Sequence, residues 1–367
     1  LSIAISNDGV TNLEKYKTAQ AALDIVLGRG GDQAVIHEGD KYTFFGGRTQ
    51  ELEKRTKVKA RIIAHALEGL ITESSKVLVM GHNNPDMDCI GASMGIYRLA
   101  TKLEKEVHLV LNPKGENLTA FLNELKEDSQ YDNLIMDPQT AISESDDDTL
   151  LVVVDTNKKN YVESPELLSK IKKIVVADHH RRSPDYIESA TLTFHEVYAS
   201  SASELVTELV EYASSEPELT SIEAEALYAG IMMDTKTFTF KTGVRTFEAA
   251  AYLRKCGVDI IKVKKWFQSD LDTYNKISNI IGKAELVYDT IAISIYEDED
   301  EDSNVVCAKA ADELLTISNI TASFVIGKLN DKVCISGRSI GDINVQVILE
   351  KLGGGGHITL AGAQVEG

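Results

Sequence analysis

The stretch "KVLVMGHNNPDMDCIG", residues 76–91, decides how the central part of this chain folds. It joins an apolar run, typical of a buried strand, to a histidine and two aspartates, His82, Asp86 and Asp88. A carboxylate that is removed from water loses several kcal/mol unless a cation or hydrogen-bond donors meet it. A cluster of this kind at a strand end therefore needs either solvent or a metal ion.

Apolar runs that end in acidic residues or histidines recur further along the chain. Apolar runs alternate with helical patterns over residues 76–240, which predicts βαβ units and a mainly parallel sheet. Three more apolar runs end in polar side chains: "LLVVV" before Asp155, "KIVVA" before Asp178, His179 and His180, and "AGIMM" before Asp234. The carboxyl ends of parallel strands lie at one edge of a sheet, so these groups can converge. A single strand-end aspartate is more often a cap held by turn amides, but four such ends favour a shared metal site.

The residue types also indicate which ions such a site takes. Five or more carboxylates and imidazoles in one place repel one another without cations, whereas two divalent ions about 4 Å apart use a bridging carboxylate and mixed oxygen and nitrogen ligands. The four cysteines lack the spacing of a structural zinc site. Imidazole among the oxygens favours a transition ion such as manganese over magnesium.

The composition of the whole chain excludes several classes of protein. With 367 residues, 43% of them hydrophobic, it can build more than one core. Its net charge of -19 argues against a binding surface for long nucleic acids, which needs many lysine and arginine contacts. Scattered cysteines favour a reducing compartment, and with no run of about 18 apolar residues we expect no membrane contact by this segment. Because it opens on "LSIAIS" without a methionine, we expect a fragment of a longer protein.

Five regions are predicted along the chain. Residues 1–46 form a small α+β piece, 47–75 a connecting helix, 76–240 the α/β domain, 241–285 a helical connector and 286–367 a smaller α/β domain. In the last region we predict strands at "DTIAISIY", "NVVCAKAA", "KVCISGRS" and "GGGGHITLAGAQV". The "GGGGH" segment at 353–357 is predicted to be an ordered loop that lets backbone amides approach a ligand, because glycine has no Cβ.

These motifs together resemble the DHH phosphoesterases. "HNNPDMD", Asp155, "DHH" at 178–180 and Asp234 resemble the four motifs of that family, and "GGGGH" resembles the signature of the DHH-associated substrate-binding domain. "NPDMD" is similar to the GdpP-type cyclic-di-AMP phosphodiesterases of bacteria. The amino-terminal piece, from "LSIAIS" to "LGRGGDQAVI", resembles the tail of a degenerate GGDEF domain. The resemblance implies a parent anchored in the bacterial cell membrane, with this segment in the cytoplasm.

The resemblance also implies a role for each site residue. His82 and Asp86 hold one manganese ion, Asp88, His179 and Asp234 hold the other, and Asp155 bridges the two. Asp178 orients the site and His180 faces the scissile phosphate, so these two are the expected catalytic residues. The substrate-binding residues expected in the smaller domain are Arg338, Ser339, Gly354, Gly355, Gly356 and His357.

The function that follows is hydrolysis of the second messenger cyclic-di-AMP to linear 5'-phosphoadenylyl-adenosine by a water activated between two manganese ions. The alternative is a nanoRNase-like hydrolase that cuts short linear oligonucleotides, or polyphosphate, at the same metal centre. A nucleotide sensor with an inactive centre is disfavoured because every ligand position is intact. The sequence has no dimer signature and leaves a homodimer open.

Overall fold

The protein is described by a computed structural model that covers residues 2–28, 33–39, 41–46, 57–112, 118–182, 184–299, 303–329, 332–356 and 358–366. The chain divides into two compact units, Leu1–Phe267 and Gln268–Gly367. The division falls inside the stretch 241–285 that the sequence suggests as a helical connector. None of the described helices combines the length and the apolar character that a bilayer crossing requires.

Unit 1 begins with a small three-stranded sheet and one helix. Its elements are β1 (Ile3–Ser6), α1 (Asn12–Gly28), β2 (Gln33–Glu38) and β3 (Lys41–Gly46), followed by α2 (Lys57–Glu73). Strand β2 lies in the middle of the sheet, parallel to β1 and antiparallel to β3. Ala22 and Val26 of α1 pack on Val35 of β2 and form a minor core of their own. The first ten residues of the predicted connecting segment, 47–56, lie outside the described residues.

The centre of unit 1 is a six-stranded sheet in which every pair of neighbouring strands is parallel. The strands are β4 (Val77–Met80), β5 (Val107–Val110), β6 (Ile135–Met136), β7 (Leu150–Val154), β8 (Lys173–Asp178) and β9 (Leu192–His195), in the order β6-β5-β4-β7-β8-β9. Val77 and Val79 belong to the core on one face, and Leu78 and Met80 to the core on the other. Both faces are covered, which is why these strands read as continuous apolar runs.

Eight helices follow in the described part of unit 1. They are α3 (Met87–Lys102), α4 (Thr119–Leu125), α5 (Pro138–Glu144), α6 (Pro165–Lys170), α7 (Ala202–Tyr212), α8 (Ser221–Asp234), α9 (Val244–Lys255) and α10 (Ile260–Trp266). Helix α8 corrects one expectation, because Asp234 ends a helix and not a strand. Residues 223–232 are all buried, so the helix is covered on every side. A short apolar run of this kind cannot be told from a buried strand by its periodicity.

Unit 2 has a mixed six-stranded sheet with helices packed on it. Its elements are α11 (Leu271–Gly282), β10 (Glu285–Val287), β11 (Ile291–Glu299), α12 (Ser303–Leu314), β12 (Ala322–Leu329), β13 (Lys332–Ser339), α13 (Val345–Glu350), β14 (Gly355–Gly356) and β15 (Leu360–Glu366). The strand order is β10-β11-β12-β13-β15-β14, and only β11 and β12 are parallel neighbours. A parallel α/β domain followed by a smaller α/β domain confirms the predicted fold class.

Two details of unit 2 differ from the prediction. The stretch "NVVCAKAA" at 304–311 is not a strand but lies in α12, and the missing strand of the sheet is β12, which was not predicted. The buried side chains of α12 recur at helical spacing: Val306, Cys307, Ala310, Ala311 and Leu314. Adjacent valines favour a strand locally, but burial of one helical face against the sheet decides the structure.

Candidate metal centre

The carboxyl ends of β4, β7 and β8 bring the predicted site residues together. His82 follows β4, Asp155 follows β7 directly, and Asp178 is the last residue of β8. Asp86 caps the amino end of α3 and Asp88 lies in the first turn of that helix. His179 and His180 follow β8, while Asp234 arrives from the end of α8. Asp234, predicted at a strand end, is brought in by a helix instead, and Asp88, predicted in the loop after the strand, lies in α3.

Two groups of three side chains can each hold a metal ion, and one carboxylate lies next to both. His82, Asp86 and Asp155 form the first group, and Asp88, His179 and Asp234 form the second, with ligand atoms in each within 4.8 Å of one another. Asp155 Oδ2 lies 3.4 Å from His82 Nε2, and Asp155 Oδ1 lies 3.4 Å from His179 Nε2. Each oxygen of this carboxylate therefore faces a different group, as a bridging ligand requires.

Two buried atoms at this junction lack the partners that buried polar atoms normally have. Asp155 Oδ1 and His179 Nε2 make no hydrogen bond of ordinary geometry to any described residue. Asp155 is 3% exposed and His179 is 4% exposed, so water does not replace the missing partners. The backbone of Asp155 is also left-handed, with φ of 58°, a conformation that costs a non-glycine residue about 1–2 kcal/mol. Unpartnered imidazole and carboxylate atoms with a strained backbone fit divalent metal ions.

Neighbouring groups fix how two of the ligands point. His82 Nδ1 lies 2.9 Å from the carbonyl oxygen of Asn83, so a proton on Nδ1 is donated there and Nε2 faces the metal group. The ring of His82 also stacks on Tyr161, with centroids 5.5 Å apart. Asp86 uses Oδ1 to accept the N–H groups of Asp88 and Cys89, which ties this carboxylate to the start of α3.

Asp88 is held by the amino end of a second helix. Its two carboxylate oxygens accept the backbone N–H groups of Ala202 and Ser203, at 2.7 and 2.8 Å, in the first turn of α7. The hydroxyl of Ser203 donates to the backbone oxygen of Asp88 at 3.1 Å. Helix amino ends stabilise negative charge, and this arrangement supports a carboxylate that is completely buried. Gly230 of α8 lies against the same carboxylate, where an added Cβ would sit 2.8 Å from Asp88 Oδ1.

The carboxylates and imidazoles of the centre shift one another's pKa values. Burial and the charges of Asp155 and Asp234 raise the pKa of Asp88 well above its ordinary value. Burial opposes a proton on His82, but its contacts with Asp155 and Asp86 outweigh burial and raise its pKa to about 12. Burial opposes the charged form of Asp155, but the neighbouring imidazoles of His179 and His82 outweigh burial and lower its pKa.

His180 differs from the other imidazoles of the centre. Its Nδ1 lies 2.9 Å from Asp178 Oδ1 and 3.5 Å from Asp155 Oδ1, and its side chain is 40% exposed. Asp178 is completely buried, and although burial raises its pKa, His180 and other imidazoles lower it overall. The buried carboxylate of Asp178 thus holds Nδ1 of the His180 ring, and Nε2 lies on the side of the ring away from Asp178. His180 also belongs to a third metal-capable group, with Asp155 and His179.

Two further residues contact the pair formed by Asp178 and His180, and the sequence analysis did not predict either of them. The side-chain amide of Asn157 donates to Asp178 and, at 3.4 Å, to the carbonyl oxygen of His180. His195 lies opposite Asp178 on the neighbouring strand, and its Nε2 lies 2.6 Å from the same carbonyl oxygen. The sequence suggests only a surface or satisfied histidine at 195. Asn157 stands two residues after Asp155, and that short polar stretch is the one signal that marks it.

The predicted substrate-binding residues lie together on β13 and the glycine-rich segment of unit 2. Arg338 is buried, donates from Nε to Asp312 Oδ1 at 2.8 Å, and also bonds the carbonyl oxygen of Gly337. Ser339 is buried too, where its hydroxyl donates to the carbonyl oxygen of Ile343 and accepts the N–H of Gly341. Both side chains are therefore engaged within unit 2.

The glycines of that segment are not equivalent. A Cβ at Gly354 would overlap the carbonyl oxygen of Gly362, and Gly356 has φ of 145° with no room beside Leu360. A Cβ at Gly355 would meet nothing within 4 Å, and this residue is exposed. Close packing explains two of the glycines, whereas the third has open space beside it. The predicted contact of His357 lies outside the described residues.

Known proteins share both the sequence and the fold. Residues 76–231 match the DHH family, N-terminal domain, and residues 284–367 match the DHHA1 domain. The chain is 44% identical over 373 residues to the cyclic-di-AMP phosphodiesterase GdpP of Bacillus subtilis (strain 168), all of this chain aligning with 57% of that protein. The chain spans little more than half the length of this relative.

Two further proteins align over most of their own length. The bifunctional oligoribonuclease and PAP phosphatase NrnA of Mycoplasma genitalium is 30% identical over 313 residues, covering 80% of this chain and 89% of that protein. The crystal structure of an exopolyphosphatase-related protein from Bacteroides fragilis shares the fold, with a TM-score of 0.72 at 19% identity, over 86% of this chain and 94% of the other. On its sequence and on the arrangement of its motifs, this chain belongs to the DHH family and carries a DHHA1 domain at its carboxyl end.

Proposed function

We propose that this chain hydrolyses cyclic-di-AMP and opens its ring to linear 5'-phosphoadenylyl-adenosine. The observation that carries the proposal is the pair of metal-capable groups on either side of Asp155. Two adjacent ions that share a carboxylate suit the in-line displacement of a phosphodiester oxygen by water. The 44% identity to GdpP of Bacillus subtilis over the whole chain supports the cyclic dinucleotide as substrate.

The proposed cofactors are two divalent ions, and the mixture of imidazole and carboxylate favours Mn²⁺. His82 and Asp86 hold one ion, Asp88, His179 and Asp234 hold the other, and Asp155 contacts both. When bound, the ions supply a nucleophile from water near neutral pH and neutralise charge on the phosphate. Asp155 Oδ1 and His179 Nε2 support this assignment, because neither makes an ordinary hydrogen bond to a described residue and a cation would satisfy both atoms.

His180 is the proposed donor to the reacting phosphate. In the imidazolium form of His180, Asp178 accepts the Nδ1 proton and Nε2, on the partly exposed side of the ring, carries a second proton that it can donate. A donor positioned in advance stabilises the charge that develops on a non-bridging phosphate oxygen. Asn157 and His195 both bond the carbonyl oxygen of His180 and so restrict its backbone.

Recognition of the nucleotide is assigned to unit 2. The exposed backbone of Gly355 is the proposed contact surface, because Arg338 and Ser339 already bond within the unit and shape the neighbouring strand. Arg338 retains further guanidinium N–H groups beyond those that bond Asp312 and Gly337, and these suit a phosphate. Gly354, Gly356 and His357 complete the proposed contact set.

The parent protein is proposed to be anchored in the bacterial cell membrane, with this segment on its cytoplasmic side. The likeness of residues 1–46 to the tail of a GGDEF domain supports this, as does the 57% share of the GdpP relative that the chain covers. Fractionation of cells that express the full-length protein tests it. Recovery of that protein in the soluble fraction contradicts the anchor.

Product analysis tests the activity directly. The protein with Mn²⁺ is incubated separately with cyclic-di-AMP, cyclic-di-GMP and a linear diadenylate, and the products are separated by chromatography. We expect cyclic-di-AMP to give the linear dinucleotide, with no turnover by the Asp155→Asn variant. Cleavage of the linear diadenylate with cyclic-di-AMP left intact would instead establish the short-oligonucleotide hydrolase, which the NrnA relative favours.

A further inference from the structure

A second cavity lies in unit 1, separate from the metal centre. Its volume is about 340 Å³, which falls in the range of small-molecule sites, about 300–1,000 Å³. The walls come from α1, α2, the segment after the DHH motif and β9: Asp24, Lys59, Arg182, Tyr186, Thr193 and His195. None of the residues in the three metal-capable groups lines it. Any ligand bound here therefore occupies a place of its own.

Arg182 is the feature of this cavity that points to a ligand. Its guanidinium lies over the ring of Tyr186, 4.7 Å from the centroid. Stacking holds the planar group by its face and leaves the N–H donors along its edge. In the described part of the chain, no carboxylate lies within ion-pair distance of Arg182. A guanidinium held flat without a carboxylate partner is suited to a phosphate group, which it binds with two parallel hydrogen bonds.

The other walls narrow the class of ligand. Among the described residues that line the cavity, Lys59 is paired with Glu196, and Arg182 supplies a positive charge without a carboxylate partner. Within the same described residues, Asp24 accepts a long hydrogen bond from Gln20, at 3.5 Å, and its carboxylate can take hydroxyl donors. Thr193 adds a hydroxyl that can donate or accept. A cation of this kind beside a carboxylate and a hydroxyl matches a small molecule that carries one phosphate and several hydroxyls.

We infer that this cavity binds a small sugar phosphate, with the phosphate on Arg182 and the sugar hydroxyls on Asp24. His195 also lines the cavity, and its Nε2 lies 2.6 Å from the carbonyl oxygen of His180. The ligand thus lies one side chain away from the DHH motif. Binding at this site requires neither metal ions nor turnover, and so it stands or falls independently of the proposed hydrolase.

Calorimetry on the metal-free protein tests the site with ribose 5-phosphate as the probe and ribose as its control. Removal of metals prevents phosphate from binding at the metal centre. We expect ribose 5-phosphate to bind and ribose not to, and we expect Arg182→Gln to weaken binding about tenfold or more, since charged hydrogen bonds are lost. Asp24→Asn should weaken it less. The matched control is Arg61→Gln, because Arg61 stacks on Tyr212 at 5.2 Å outside the cavity and should leave binding unchanged.

Three results would overturn this inference. They are no binding of ribose 5-phosphate, equal binding by the Arg182→Gln variant, and inorganic phosphate binding as tightly as ribose 5-phosphate, which removes the role of the sugar. Circular dichroism shows whether Arg182→Gln folds. If it does not, Arg182→Lys keeps the charge and loses the two-pronged contact, so it should still bind more weakly than the unchanged protein.

Discussion

The metal centre of unit 1 and the glycine-rich segment of unit 2 differ in how their buried polar groups are satisfied. At the metal centre, Asp155 Oδ1 and His179 Nε2 are buried and make no hydrogen bond of ordinary geometry to any described residue. In unit 2, by contrast, Arg338 and Ser339 are buried with partners, among them Asp312 and Ile343. The first region is incomplete without a cation, whereas the second is complete as a folded structure. The proposed functions therefore assign the chemistry to side chains in unit 1 and the binding of substrate to exposed backbone in unit 2.

The largest effect is expected when the shared carboxylate is removed. Asp155→Asn keeps the left-handed backbone, which asparagine tolerates, but loses the charge that faces both groups. We expect turnover of cyclic-di-AMP to fall more than about a thousandfold, because metal ions supply several kcal/mol and about 1.4 kcal/mol is a factor of ten. Asp155→Ala should do the same with some loss of stability. Activity assays and metal analysis check this, and substantial activity with full metal content would remove Asp155 from its bridging role.

A smaller effect is expected at His180, whose side chain is 40% exposed, whereas that of His82 is 11% exposed. His180→Ala should slow turnover roughly a hundredfold, the size of the effect of losing one oxyanion donor. Both ions should remain, because the two groups on either side of Asp155 do not include His180. Metal analysis together with single-turnover kinetics shows whether His180 acts on the phosphate or binds a metal ion. Loss of one ion in this variant would show that His180 is a metal ligand, and the metal centre would then include it.

Packing behind the centre should affect metal binding without touching a ligand. In Gly230→Ala the new methyl group would overlap Ser203 Oγ and lie 2.8 Å from Asp88 Oδ1, so the carboxylate must move. We expect metal affinity to fall about 10–100-fold, as it does when groups that orient ligands are changed. Calorimetric titration with Mn²⁺ measures it.

The matched control for this packing test is Gly69→Ala in α2. A Cβ at Gly69 meets nothing within 4 Å, and alanine stabilises a helix by about 0.5–1 kcal/mol relative to glycine. It should therefore leave metal affinity unchanged and raise the melting temperature slightly. Equal losses of affinity in both variants would show that the effect does not come from the position of Asp88.

The contrast also predicts a milder effect in unit 2. Gly355→Val adds a side chain in open space, so it should fold normally and raise KM for cyclic-di-AMP about tenfold, while a generic phosphodiester is unaffected. Gly354→Ala, whose methyl group would overlap Gly362, should lower the melting temperature instead. Thermal unfolding and steady-state kinetics distinguish the two. Unchanged KM in Gly355→Val would remove this backbone from substrate recognition.

The smallest effect concerns the pH dependence of stability. In the metal-free protein the raised pKa values of His82, about 12, and of His179 add stability that is full below their unfolded pKa of about 6.5 and is lost as pH rises. The lowered pKa of Asp155 adds stability that is already complete above about pH 5. The metal-free melting temperature should thus fall as the pH rises from about 6.5 to 9. Bound metal replaces those protons, so the stabilisation by Mn²⁺ should grow with pH. A difference in melting temperature between the protein with and without Mn²⁺ that stays constant with pH would contradict this prediction.

Much of unit 1 could be read from the sequence, because its signals are local. The runs "VLVM", "LLVVV" and "KIVVA" are buried on both faces and became the central strands β4, β7 and β8. The residues that follow them converge at one edge because parallel strands share that edge. The order of apolar and polar residues along the chain therefore fixed the sheet, and the chemistry at its carboxyl edge could be predicted from it.

The tertiary structure decided what depends on partners that are distant in the chain. Asp88 owes its support to the N–H groups of Ala202 and Ser203, which are 114 and 115 residues away. Asp234 reaches the centre from a helix whose apolar surface looks like that of a strand, and α12 is a helix because the sheet of unit 2 covers one of its faces. A local sequence pattern indicates which residues are buried, but only the packing of the folded chain determines which groups contact one another. Side-chain direction and hydrogen-bond partners therefore emerge with the fold.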